Sequence, residues 1–312
     1  MNYKPEGYRM VGVENHEFLC SLAGLEKAQE KGKILESTAL LCDASFTLHF
    51  DLFGIHGIMP RTEVEHNEND EESKDIAILT RVGKPTCFKV IGFKREENGS
   101  VCAVLSRKAA QAECRYEFIS TLVPGDILSA KVTHLEPFGA FVDIGCGIIS
   151  LLSIDAISVS RITHPNDRFC AGDRIFVAVK SIDSMGRIYV TQRELLGTWE
   201  ENAAAFSIGQ TVAGVVRSIE SYGIFIELAP NLAGLAEYKE GVVVGSSAAV
   251  YIKNILPERM KVKLVIIDTH TGSMERIPLR YFIDPKTTTH LSYWRYSPEY
   301  CKKLVETRFE NP

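Results

Sequence analysis

One short phrase, used twice, constrains this chain more than anything else in it. Phe138-Gly-Ala-Phe-Val-Asp-Ile144 is matched position for position by Tyr222-Gly-Ile-Phe-Ile-Glu-Leu228. Each copy follows a stretch that alternates apolar and polar residues, Ile127–Leu135 in the first case and Val212–Ile219 in the second. Alternation with period two and many β-branched residues reads as a half-buried strand. The glycine after each first aromatic lets the backbone bend and leaves room beside the rings. Gly125-Asp126 and Gly209-Gln210 open the two units with turn chemistry.

The surrounding sequence extends each copy into a five-strand unit. The middle block continues with Ile148–Leu152, a short helix or loop over Ile157–Phe169, then Arg174–Ser181 and Arg187–Thr191. The last block offers Met260–Asp268 as its fourth strand and Glu275–Ile283 as its fifth. A looser first copy runs Ile34–Cys42, Phe46–Leu52, Gly54–Pro60, Arg81–Phe93 and Val101–Lys108, with Asn98-Gly99 as a hairpin signal. Three units of about 75 residues form an internal repeat. Five short strands, with a helix or loop before the fourth, make the strand inventory of an OB-type barrel.

The fold class that follows is mainly β: three tandem five-stranded OB-type barrels joined by short helical linkers. The division is an N-terminal segment 1–32, a divergent barrel 33–108, a helical linker 109–121, a central barrel 122–195, a second linker 196–206, a third barrel 207–283, and a tail 284–312. Phe18, Leu22, Leu25 and Ala28 fall at helical spacing within Glu17–Lys31. The tail interleaves Tyr293, Trp294, Tyr296 and Tyr300 with basic residues, a pattern that can bind single strands by stacking and cation–π contact and that reads more readily as a helix over Pro298–Phe309 docked on the last barrel.

Charge is distributed unevenly. The formal net charge is -5, and the loop Glu65–Asp75 alone supplies it through six acids and one lysine. No block is strongly basic, so phosphate attraction alone does not account for tight nucleic-acid binding. The eight cysteines are scattered without a Cys-x-x-Cys pair. That spacing supports no zinc ribbon or thioredoxin-type site, and the apolar context of most of them implies mainly reduced, buried thiols and a cytoplasmic protein. No apolar run reaches the roughly 20 residues of a membrane span, and the first residues carry no secretory pattern. Gly-x-x-x-x-Gly-Lys, Gly-x-Ser-x-Gly and His-Glu-x-x-His are all missing, so the chain reads as non-enzymatic, with no cofactor, no bound metal and no small-molecule substrate. His134 and His164 read as solvated histidines.

The middle block resembles the RNA-binding domain of the bacterial small-subunit ribosomal protein S-one family. The phrases that carry the resemblance are Gly125-Asp126, Phe138-Gly-Ala-Phe-Val-Asp143, Gly172-Asp173 and Val179-Lys-Ser-Ile-Asp-Ser-Met-Gly-Arg-Ile188. The third block matches in its first half, and the first block loosely; together the three cover roughly three-quarters of the chain.

The resemblance implies single-stranded RNA, including mRNA, lying across the barrel face, with the small ribosomal subunit as a further partner. It implies Phe138 and Phe141 as stacking aromatics and Asp183 and Arg187 as polar contacts near the last hairpin. Aligning Gly147-Ile-Ile-Ser150 with the family's Gly-Leu-x-His makes Ser150 the counterpart of the family histidine. In the third block the counterparts are Tyr222, Phe225, Glu237 and Asp268; in the first they are Phe46 and His49. Lys131, Lys180, Lys253 and Arg217 are candidate phosphate contacts. The alternative reading is a protein-interaction adaptor whose barrels have weak or lost RNA binding.

Overall fold

A computed structural model describes residues 3–66, 74–96, 99–271 and 276–309. Most of the acidic loop, Asn98 and Glu275 therefore lie outside the described residues. Three five-stranded sheets each close into a barrel. The first is built from β1 (Leu35–Cys42), β2 (Leu48–Leu52), β3 (Ile55–Met59), β4 (Pro85–Arg95) and β5 (Val101–Ser106). The second uses β6 (Ile127–Glu136), β7 (Gly139–Asp143), β8 (Ile149–Ser153), β9 (Arg174–Ile182) and β10 (Ile188–Thr191). The third uses β11 (Thr211–Glu220), β12 (Gly223–Ala229), β13 (Leu232–Ala236), β14 (Ser247–Leu256) and β15 (Lys261–His270).

Every barrel closes in the same way. Its third strand runs parallel to its fifth, while the other pairings among the described residues are antiparallel. Period-two alternation fills the interiors: Leu48, Phe50 and Leu52 are buried along β2, and Ile224 and Ile226 along β12. Phe50 and Phe88 meet edge to face at 5.6 Å inside the first barrel. A bulge between Val216 and Ser218 sharpens the bend of β11, and one between Ala39 and Leu41 does the same in β1.

The chain divides into two compact units, Met1–Leu122 with Asp143–Ile149, and Val123–Val142 with Ser150–Pro312. In the first unit, Glu6 is a buried hub. It pairs with Arg107 at 2.7 Å and with Arg81 at 2.7 Å, and its amide donates to Asp143 at 2.7 Å. In the second unit the barrels are locked together by buried polar groups. Arg168, from the segment before β9, pairs with Glu227 on β12, and both side chains are fully buried. Glu227 also receives Arg217, which reaches Asp167 at 3.0 Å. Asn231 accepts from the Val159 amide at 2.9 Å and donates to the carbonyls of Arg193 and Gly197.

Several local expectations change. The helix over Glu17–Lys31 is two helices, Val13–Leu19 and Leu22–Glu30, because the Ser21 hydroxyl caps the second by accepting from the Gly24 amide. The linker around Glu194–Phe206 breaks at Gly197, whose φ of 82° ends one turn before Thr198 caps the helix Trp199–Ala203. The third barrel takes Ser247–Leu256 as its fourth strand, so Lys261–His270 is its fifth, and residues 276–283 form no strand.

The tail is no helix. Strands β16 (Tyr293–Arg295) and β17 (Glu306–Arg308) form a hairpin, and Trp294 and Tyr296 enter the core of the third barrel. Just before it, Thr289 and Leu291 hydrogen-bond to Ile127 and Gly125 at the start of β6. Burying these rings explains why an aromatic-rich tail docks on the barrel.

Candidate nucleic-acid interface

The repeated phrase places an aromatic pair at the same point of the second and third barrels. In the second, Phe138 precedes β7 and Phe141 lies within it. Their rings meet edge to face, 6.0 Å between centroids at 89°. In the third, Tyr222 and Phe225 repeat this at 6.1 Å and 88°. Phe138 is 55% exposed and Tyr222 67% exposed, values that fit a surface platform and not a core. The glycine between the aromatics is required sterically. A Cβ on Gly139 would lie 2.6 Å from the Leu152 carbonyl, and one on Gly223 2.5 Å from that of Ala236.

The second barrel adds a third ring beside this pair, itself exposed as expected. His134 on β6 stacks on Phe141 with centroids 6.4 Å apart, and its Nε2 contacts Glu136 at 2.6 Å. The only sequence signal for this is its place across the hairpin from Phe141, a cross-strand relation that local patterning does not display. The corresponding register position in β11 is Ser218, so the third barrel lacks this ring.

Asp183 and Arg187 meet at the turn between β9 and β10. Arg187 Nε donates to Asp183 Oδ2 at 2.8 Å, while Asp183 Oδ1 accepts from the amides of Arg187 and Met185, each at 2.9 Å. The Arg187 amide and guanidinium hold the Asp183 carboxyl below its usual value. The pair organises the β9–β10 turn, yet the Arg187 side chain stays 64% exposed. Tyr189 reaches the same carboxylate at 3.5 Å from the outer row of β10. Lys131 on β6 is half-buried, and Lys180 lies 3.7 Å from Asp155.

Three assignments move. Ser150 is 2% exposed, and its hydroxyl donates to the Ile188 carbonyl at 2.6 Å, so it is spent inside the barrel wall. The pairing shows why. Leu151 and Leu152 face Tyr189 and Val190, as Leu235 and Ala236 face Lys263 and Leu264. Ser150 therefore matches Gly234, and half-buried Ser153 is the register counterpart of Glu237. Gly147-Ile-Ile imitates the motif three residues too early. Likewise Leu256 pairs with Lys261 where Asp183 faces Arg187, so Asp268 leaves that role and Lys261 takes the place of the arginine. Arg217 is committed to Glu227 and Asp167 and is no phosphate contact.

The first barrel presents a different face. Phe46 holds a left-handed φ of 58° with the Arg61 guanidinium 4.9 Å from its ring centre. His49, at the register position of Phe141 and Phe225, stacks on His56 at 5.1 Å. Among the described residues, no helix is long and apolar enough to cross a membrane.

The family model of the S1 RNA binding domain matches residues 122–191, the second barrel. The small ribosomal subunit protein bS1 homolog of Bacillus cereus is 30% identical over 237 residues, covering 72% of this chain and 57% of that protein. Protein bS1 of Mycobacterium tuberculosis is 26% identical over 298 residues, covering 88% of this chain and 59% of that protein. A multidomain Streptococcus pneumoniae structure with nucleic acid binding domains is 14% identical, with a TM-score of 0.26, over 78% of this chain and 76% of its own. The chain spans a little over half the length of the curated relatives it matches. Its second barrel carries the S1 RNA binding domain pattern, and most of its length is similar to small ribosomal subunit protein bS1.

Proposed function

We propose that the second and third barrels bind single-stranded RNA, mRNA included, by stacking bases on Phe138, Phe141 and His134 and on Tyr222 and Phe225. The carrying observation is the repeated edge-to-face pair with its outer ring exposed on both barrels. Each stacked base contributes roughly 1–3 kcal/mol, and stacking tolerates every base. Arg187, Lys131 and Lys261 supply the charge that follows the backbone; Glu237 opposes it, so the second barrel is the stronger site. The role is non-enzymatic, in the cytoplasm and at the small ribosomal subunit.

The buried Arg168–Glu227 pair supports joint action by the two barrels. Fixing one platform relative to the other raises the effective concentration of the second for a strand already on the first. The domain division proposed from sequence assigns each platform to its own barrel.

Stacking requires unpaired bases, so the test compares labelled single-stranded RNA with a duplex of the same sequence. Binding at least tenfold tighter to the single strand supports the reading. Equal binding to both, or none to either, overturns it, and the absence of any RNA binding favours a protein-interaction adaptor.

A further inference from the structure

Where the other barrels carry aromatic pairs and a basic corner, the first barrel gathers metal-ligating atoms. His56 on β3, Glu96 just past β4 and Cys102 on β5 bring one ligand atom each to within 4.8 Å of one another. His56 and Cys102 face each other across the parallel pairing of β3 and β5. In register, Cys102 occupies the place of Arg187 in the second barrel and Lys261 in the third. A thiol thus replaces a cation at the corner where a nucleic-acid backbone would be met.

The hydrogen bonds around His56 orient it for ligation. Asp43 Oδ1 is pinned by the amides of Ser45 and Thr47, and its Oδ2 lies 3.1 Å from His49 Nε2. With His49 Nε2–H donating to Asp43, His49 Nδ1 is left to accept from His56 Nε2–H at 2.9 Å. His56 Nδ1 meets Glu96 Oε1 at 2.5 Å, a contact that needs a proton between them, and a metal ion held by both atoms takes that proton's place. A carboxylate–histidine relay that fixes the tautomer of a ligating histidine is the usual outer support of a metal centre. The second Glu96 oxygen is held by the Ser100 hydroxyl at 2.7 Å.

We propose that the first barrel binds one Zn²⁺ through His56 Nδ1, the Glu96 carboxylate and Cys102 Sγ, with His49 and Asp43 positioning His56. Nitrogen, oxygen and thiolate donors together suit zinc better than calcium or magnesium. Three protein ligands leave a fourth position for water, and the side chains of His56 and Glu96 are partly open to solvent. Binding releases two protons to solvent, one from the Cys102 S–H and one from between His56 and Glu96; no electron transfer is involved. The site is separate from the aromatic platforms and stands or falls independently of RNA binding.

Cobalt reports the site directly, because thiolate ligation gives a sulfur-to-cobalt charge-transfer absorption. The full chain is titrated with Co²⁺, and bound cobalt is then displaced with Zn²⁺. The proposal requires a band that saturates at one equivalent, disappears in Cys102→Ser and in His56→Ala, and persists in Cys20→Ser and Cys170→Ser, which alter the exposed thiols. His49→Ala, with unchanged circular dichroism, should weaken binding about 10–100-fold while leaving the stoichiometry at one. No band, or a band that survives Cys102→Ser or His56→Ala, overturns it.

Discussion

Glu227, two residues along β12 from the exposed platform of the third barrel, receives Arg168 from the second barrel with both side chains wholly withdrawn from solvent. Arg217 binds the same carboxylate. Removing one partner of a buried ion pair costs about 3–5 kcal/mol, because an uncompensated charge remains. Glu227→Gln leaves two guanidinium groups facing a neutral amide. We predict a loss of that order in denaturant unfolding of the second unit; an unchanged midpoint would show that the pair does not lock the barrels.

A second buried acid predicts a pH dependence. Burial pushes the Glu36 carboxyl up to about 7 from an ordinary 4.5. Its Oε2 accepts from the amides of Gly7 and Arg9, while its Oε1 is buried without a partner. The folded state therefore holds this proton more tightly than the unfolded chain. The stabilisation is complete below about pH 4.5 and is lost as pH rises to about 7. The Asp143 carboxyl, pushed up by burial and by Glu6 beside it, acts in the same direction. Glu36→Gln should stabilise the protein at pH 7.5, by about 3 kcal/mol at most, and change little at pH 4.5. Urea melts at both values check this; equal effects at both would contradict it.

Register makes Glu237 the third barrel's counterpart of Ser153, on the face with Phe225. If RNA crosses that face, Glu237→Gln tightens single-stranded RNA binding about two- to fivefold at low salt, and the gain fades as salt rises. Anisotropy titrations at two ionic strengths measure it. A gain that is absent at low salt would remove the third barrel from the RNA path.

Gly125 has a φ of 96°, and a Cβ there would lie 2.0 Å from the Leu291 carbonyl. The opening turn of the second barrel is thus also the seat of the tail. Gly125→Ala should cost about 1–3 kcal/mol and expose residues 276–309 to protease before the barrels are cut. Cleavage kinetics identical to wild type would contradict the docking.

The barrels were legible because strand alternation and the Phe-Gly-x-Phe phrase are local. β14 was missed because Ser247-Ala-Ala-Val250 offers small residues where alternation is weakly marked. Ser150 was misplaced because Gly147, in a turn, repeats the glycine that the motif requires. Asp143 and Glu227 close the repeated phrase at positions that alternation assigns to solvent, yet both are buried. Their partners, Glu6 and Arg168, are remote in sequence. His134 and the His56–Glu96–Cys102 group escaped for the same reason: barrel closure, not sequence neighbourhood, assembles them.

The most direct measurement is fluorescence anisotropy with labelled single-stranded RNA, comparing wild type with Phe138→Ala/Phe141→Ala. Two lost stacking contacts at roughly 1–3 kcal/mol each predict at least a tenfold weaker affinity, with the fold intact by circular dichroism. Wild-type affinity in the folded double variant would contradict stacking on the second barrel.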